Sequence, residues 1–124
     1  MLTLEQFKAA RSTLRGVIRD TSLIHSVALS KALGNQVYLK PENMQVTGAY
    51  KIRGAYYKIS TLSQEEKERG LITASAGNHA QGLAYAAQAA GVPATIVMPT
   101  TTPLVKVNNT KDYGAKVILH GEVF

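Results

Sequence analysis

The chain has 124 residues, 45% hydrophobic and 18% charged, with a formal net charge of +6 and no cysteine; that suffices for a compact domain with a core and excludes disulfide and thiolate chemistry. Lys and Arg are dispersed rather than gathered into a basic stripe interleaved with aromatics, so nucleic acid is not an expected partner. No apolar run reaches the ~18 residues of a membrane span and the start MLTLEQFKAAR lacks a signal-peptide pattern, so a cytoplasmic protein without a membrane partner is expected.

Thr3 and Gln6 have capping-box spacing, and Leu4, Phe7, Ala10, Leu14 and Ile18 recur with helical period, predicting a helix over roughly 4–19. Val37–Lys40 reads as a short strand stopped by Pro41, and Glu42–Gly48 as a polar loop. A helix should start at Tyr50 or Lys51 and run to about Thr61; Ser63 and Glu66 form a second capping box for a short helix before Gly70. A regular alternation follows: strand Leu71–Ala74, helix Asn78–Ala90 closed by Gly91, strand Ala94–Met98, helix Pro103–Tyr113 closed by Gly114, strand Lys116–Leu119. Strands separated by single helices imply right-handed crossovers and a parallel sheet. Thr95–Met98 is apolar on both faces, as a sheet covered on both sides requires. The predicted fold is therefore α/β, a three-layer αβα arrangement. A three-stranded parallel sheet leaves edges in need of cover, so the chain reads as part of something larger.

Two segments carry chemistry. Lys51 stands at a predicted helix start among small residues (Gly48, Ala49, Gly54, Ala55) that permit close approach. The positive end of a helix dipole, with Arg53 adding to it, favours the neutral amine that nucleophilic lysine chemistry uses. An ordinary exposed helix lysine fits the same spacing. Ser75-Ala76-Gly77-Asn78-His79 lies between a strand end and a helix start, where open α/β sheets bind ligands and free backbone N–H groups attract anions. N-capping by Ser75 or Asn78 alone would explain it equally. Gly77 and Gly82 have the spacing of a phosphate-loop pair, but Leu83-Ala84 follows where Lys-Ser/Thr should stand. His25, His79 and His120 lack metal-ligand spacing, and no metal is expected; Tyr56, Tyr57 and Tyr85 read as half-buried helix residues.

Thr47–Ala55, with Lys-Ile-Arg-Gly-Ala at its end, resembles the lysine motif of fold-type II pyridoxal-phosphate enzymes in the threonine/serine dehydratase and serine racemase branch. Ser75-Ala76-Gly77-Asn78-His79-Ala80-Gln81-Gly82 is similar to that branch's second motif, and Val37–Lys40, Glu42-Asn43, Ala94–Pro99 and Tyr113-Gly114-Ala115 resemble further segments, so the likeness runs from about Asp20 to Phe124. It implies pyridoxal 5'-phosphate carried on Lys51, which then serves as base at Cα. It implies Asn78 on the ring hydroxyl, Tyr50 against the pyridine ring, and Ser75, Ala76, Gly77, Asn78 and His79 around the substrate carboxylate. The implied reaction is β-elimination of water from L-threonine or L-serine to a 2-oxo acid and ammonia, in a homo-oligomer.

Departures are Ala49-Tyr50 where the family more often has Ser-Phe, Thr21-Ser22-Leu23 for Thr-Pro-Leu, and Pro41 for Leu. Ala76 stands where serine racemases carry a second Ser, which favours a dehydratase over the racemase alternative. Family members are longer, with the phosphate-cradling loop downstream. Residues 1–44 would belong to the larger domain of such an enzyme and 45–124 to most of the smaller one, the whole being an inactive fragment of incomplete fold-type II architecture. A cofactor-free amino-acid-binding or interaction domain is the reading from another class.

Overall fold

A computed structural model describes residues 1–123; Phe124 lies outside the described residues. In chain order it comprises α1 (Leu4–Leu14), β1 (Ile24–His25), α2 (Val27–Leu33), β2 (Tyr38–Leu39), a 3-10 turn (Glu42–Met44), α3 (Lys51–Ser60), α4 (Gln64–Arg69), β3 (Leu71–Ala74), α5 (Asn78–Ala90), β4 (Ala94–Met98), α6 (Leu104–Asp112) and β5 (Lys116–Leu119). Both capping boxes form, Thr3 with Gln6 and Ser63 with Glu66. The alternation from Leu71 onward forms with the expected strand and helix limits to within a residue.

Strands β3, β4 and β5 form a parallel sheet in sequential order, with Leu71 beside Ala94 and Ile96 beside Val117. One face carries Ala94, Ile96 and Met98, all buried. Against it pack Ala55 and Ile59 of α3, Ala80, Ala84, Ala86 and Ala87 of α5, and Val107 of α6. Small side chains on α5 let that helix lie close to both the sheet and α3, and the α3–α5 contact is the most extensive between any two elements. The other face, with Ile72, Thr95, Val97 and Ile118 in register, is half-buried or exposed; Ile72 is 76% exposed. The described residues thus hold two layers of the αβα arrangement, helices on one side of a parallel sheet.

The first third differs from expectation. Helix α1 ends at Leu14 rather than near residue 19, because the chain turns at Gly16 (φ +79°), where a side chain would be strained. Of its apolar stripe only Leu14 is buried; Leu4 and Phe7 are exposed. Residues 24–33 form a strand and a helix that periodicity did not announce, although Ser26 caps Leu29 N–H and Gly34 ends the helix. His25, expected in a loop, pairs with Tyr38 in the antiparallel β1–β2 ribbon. The polar stretch after Pro41 contains the 3-10 turn Glu42–Met44.

Candidate active site

Lys51 is the first residue of α3, and its amine is exposed, 5.6 Å from the centre of the Tyr50 ring. The turn before it is fixed by Gly48 N–H donating to Gln45 O (2.8 Å), with Gly48 at φ +69°. Tyr50 holds the cap position without a side-chain hydrogen bond and is itself exposed. Lys51 therefore stands at an uncapped helix end, on a short tight turn.

Helix α5 is uncapped in the same way. Gly77 holds its cap position, and among the described residues no side chain bonds its first N–H groups. Ser75 Oγ instead accepts from Gly77 N–H at 3.4 Å, a marginal contact, and Asn78 lies inside the helix. Neither Ser75 nor Asn78 caps α5, so the simple capping explanation of this segment fails. Ser75, Ala76 and Gly77 are half-buried at the C-terminal end of β3, whereas Asn78 and His79 are exposed. Backbone N–H groups at such an end suit an anion.

The two segments meet through α3 and α5. A Cβ built on Gly82 would lie 3.0 Å from Ile52 N and 3.1 Å from the Lys51 carbonyl carbon, so the helix backbones touch at Lys51. Asn78 is one turn before Gly82 on the same face of α5. The Lys51 backbone therefore lies against α5 at Gly82, one turn on from Asn78.

Arg53 does not act as expected. Its guanidinium is held by both carboxylate oxygens of Glu42 (2.7 and 2.8 Å), and it also donates to Thr21 Oγ1 at 3.3 Å. Its charge is met there, so it is not a bare cation beside Lys51. The Arg53 hydrogen bonds hold the Glu42 carboxyl down at about 2, against the opposing effect of burial and with help from Thr21 and Lys40. Thr21 Oγ1 donates to Glu42 Oε1, and Lys40 Nζ donates to Thr21 O. Gln45, buried, clamps Arg19 by accepting from its N–H (2.8 Å) and donating to its carbonyl (2.9 Å). This network ties residues 19–45 to the lysine helix. The spacing of Thr21, Glu42 and Arg53 gave no sign of it, since the three meet only after the chain doubles back.

A pocket of about 830 Å³ lies elsewhere, between α1 and the side of α3 that carries Arg53, Gly54 and Tyr57. Neither Lys51 nor any residue of Ser75–His79 lines it. Among the described residues no three His, Asp or Glu side chains gather as a metal site, and no helix is long and apolar enough to cross a membrane.

Residues 14–124 match the family of pyridoxal-phosphate dependent enzymes. The chain belongs to that family. It is 56% identical over 124 residues to an L-threonine ammonia-lyase of Thermotoga maritima, and 53% identical over 126 residues to a catabolic L-threonine dehydratase of Staphylococcus aureus. All of this chain aligns in both, but it spans only 31% and 36% of their lengths. Among solved structures it superposes on serine racemase from Dictyostelium discoideum with a TM-score of 0.91 and 36% identity, covering 97% of this chain and 40% of that one. Threonine deaminase isoform 2 from Solanum lycopersicum gives 0.83 and 41%, covering 99% and 35%.

The residues present suit the family's cofactor. An accessible primary amine at an uncapped helix end can bond an aldehyde, an aromatic ring beside it can lie against a pyridine, and the Asn78 amide can donate to a ring oxygen. No buried acidic group stands against Lys51 in the ion pairs of the described residues: Glu42 is taken by Arg53, Glu5 by Lys8 and Glu65 by Arg69.

Proposed function

We propose that this chain carries the lysine and carboxylate-binding parts of a pyridoxal-phosphate enzyme that removes water from L-threonine or L-serine. The observation that carries the reading is the backbone contact between α3 and α5, which brings the backbone and Cβ of Lys51 against α5 one turn from its uncapped N-terminus. High identity to threonine ammonia-lyases and dehydratases over the whole chain supports the choice of substrate. When bound, the cofactor takes up the electron pair released at Cα. Lys51 anchors it covalently and afterwards accepts the Cα proton. Ser75, Ala76, Gly77, Asn78 and His79 hold the substrate carboxylate, chiefly through backbone N–H groups. Asn78 also donates to the ring oxygen, and Tyr50 lies along the ring. The hydroxyl on Cβ leaves as water; hydrolysis of the resulting enamine then gives the 2-oxo acid and ammonia.

A racemase is the second reading, favoured by the close superposition on serine racemase. Against it stands Ala76, whose methyl group cannot deliver a proton to the opposite face. Chiral analysis of residual serine separates the two: accumulation of D-serine would support the racemase. In the dehydratase reading residues 1–44 belong to a larger domain, residues 45–124 form most of a smaller one, and the enzyme is a cytoplasmic homo-oligomer. Separate sheets for the two segments support that division.

The test is covalent capture. The chain, and the longer product wherever its reading frame continues, are incubated with pyridoxal phosphate, reduced with borohydride and mapped by mass spectrometry. Selective modification of Lys51 is expected. Labelling scattered over surface lysines in both would overturn the assignment and favour a cofactor-free binding domain.

A further inference from the structure

We propose that Gly82 is a positioning residue for Lys51: the bare backbone of α5 at this point sets where the amine stands relative to Asn78 and the Ser75–Gly77 loop. This rests on the reading of Lys51 as the reacting amine.

Glycine is a poor choice in a helix interior, because it loses more backbone freedom than alanine does. Helix α5 otherwise uses six alanines among its thirteen residues, so small size alone does not explain a glycine. The explanation lies across the interface. An added Cβ would stand 3.0 Å from Ile52 N, 3.1 Å from the Lys51 carbonyl carbon and 3.2 Å from Lys51 Cβ. Two of these are backbone atoms, so no rotamer change relieves the contact. By contrast Gly54 and Gly77 have nothing within 4 Å of such an atom. The contact is also held from both sides: Ile52, Ala80 and Ala84 are all buried within 1% of completely. A methyl at position 82 therefore asks the first turn of α3, and with it Lys51, to give by a few tenths of an ångström relative to Asn78 one turn away, about 6 Å along the α5 axis. A displacement of that kind matters because reacting groups must be held in near-attack geometry.

The test compares wild type with Gly82→Ala and Ile59→Ala. Ile59 is buried in the last turn of α3, so its truncation loosens the same helix pair without touching Lys51. Two readouts are taken: capture of pyridoxal phosphate at Lys51 relative to the exposed Lys58 of the same helix, and the pH profile of trace acetylation at both lysines without cofactor. Gly82→Ala is expected to lower capture at Lys51 about tenfold and to displace its acetylation profile, with Lys58 unchanged. Ile59→Ala is expected to lower Tm at least as much yet leave Lys51 within about twofold of wild type, since its cavity is remote from the amine. Equal behaviour of wild type and Gly82→Ala, or equal losses in both variants, would overturn the proposal. If wild type captures no more cofactor at Lys51 than at Lys58, the function reading falls, and the acetylation profiles still decide for or against Gly82. If Gly82→Ala does not fold, the nuclear Overhauser contact between Gly82 Hα and Lys51 Hβ in wild type decides: its presence supports the proposal and its absence overturns it.

Discussion

Glu42 shows how one side chain ties two distant segments together. Bonded by Arg53 through both oxygens, it keeps its carboxyl at about 2, below the ordinary 4.5. The folded state thus binds this proton more weakly than the unfolded chain. Stability from the pair is fully present above about pH 4.5 and is lost as pH falls toward about 2. The linkage is worth at most roughly 3 kcal/mol. Urea melts over an acidic pH series should show that loss in wild type, and Glu42→Gln should flatten it. At neutral pH the same substitution should cost about 2 kcal/mol, since it leaves the half-buried guanidinium without its counter-ion. Gly54 offers the opposite case. With nothing near its added Cβ, Gly54→Ala should stabilise this chain by about 0.5–1 kcal/mol through helix propensity and the unfolded state. A loss of stability in thermal melts would show that an unseen contact exists there.

At the scale of elements, the α3–α5 pair carries the core. Ile59 is 1% exposed and packed among alanines, so Ile59→Ala leaves a cavity that small neighbours cannot fill. A destabilisation of about 2–5 kcal/mol is expected by chemical denaturation. Helix α4 depends instead on its ends. It is short and buries no residue, and Ser63 accepts from Glu66 N–H while Glu66 returns a bond to Ser63 N–H. Ser63→Ala should cost about 1 kcal/mol and raise amide exchange over Gln64–Arg69 without altering exchange in α5. These two capping boxes were legible because a local spacing of three residues decides them. The reach of α1 was not, because its end depends on a positive φ at Gly16, where the pattern of apolar residues continued.

For the molecule as a whole, the open face of the parallel sheet is the dominant feature. Ile72 and Ile118 are exposed with Val97 half-buried between them, and the N-terminal third exposes Leu4, Phe7, Leu23, Ile24 and Val27 as well. Apolar area of this kind drives association. Sedimentation of the 124-residue chain should show mass rising with concentration, and Ile72→Lys with Ile118→Lys should reduce it. An unchanged monomer at high concentration would show that this face is not sticky.

The sequence by itself determined the alternation of strands and helices from Leu71 onward, both capping boxes, and the two segments around Lys51 and Ser75–His79. These depend on neighbours along the chain: hydrophobic period, cap spacing and glycine stops. Only the tertiary structure decided that Arg53 belongs to Glu42 and Thr21, that α5 lacks a side-chain cap, and that Gly82 abuts the lysine backbone. Those facts join residues far apart in the chain, and no local pattern encodes which backbone will press against which. The glycine that read as a failed phosphate loop proved to be the point where two helices touch, because its value lies in the atom it lacks and the partner it meets.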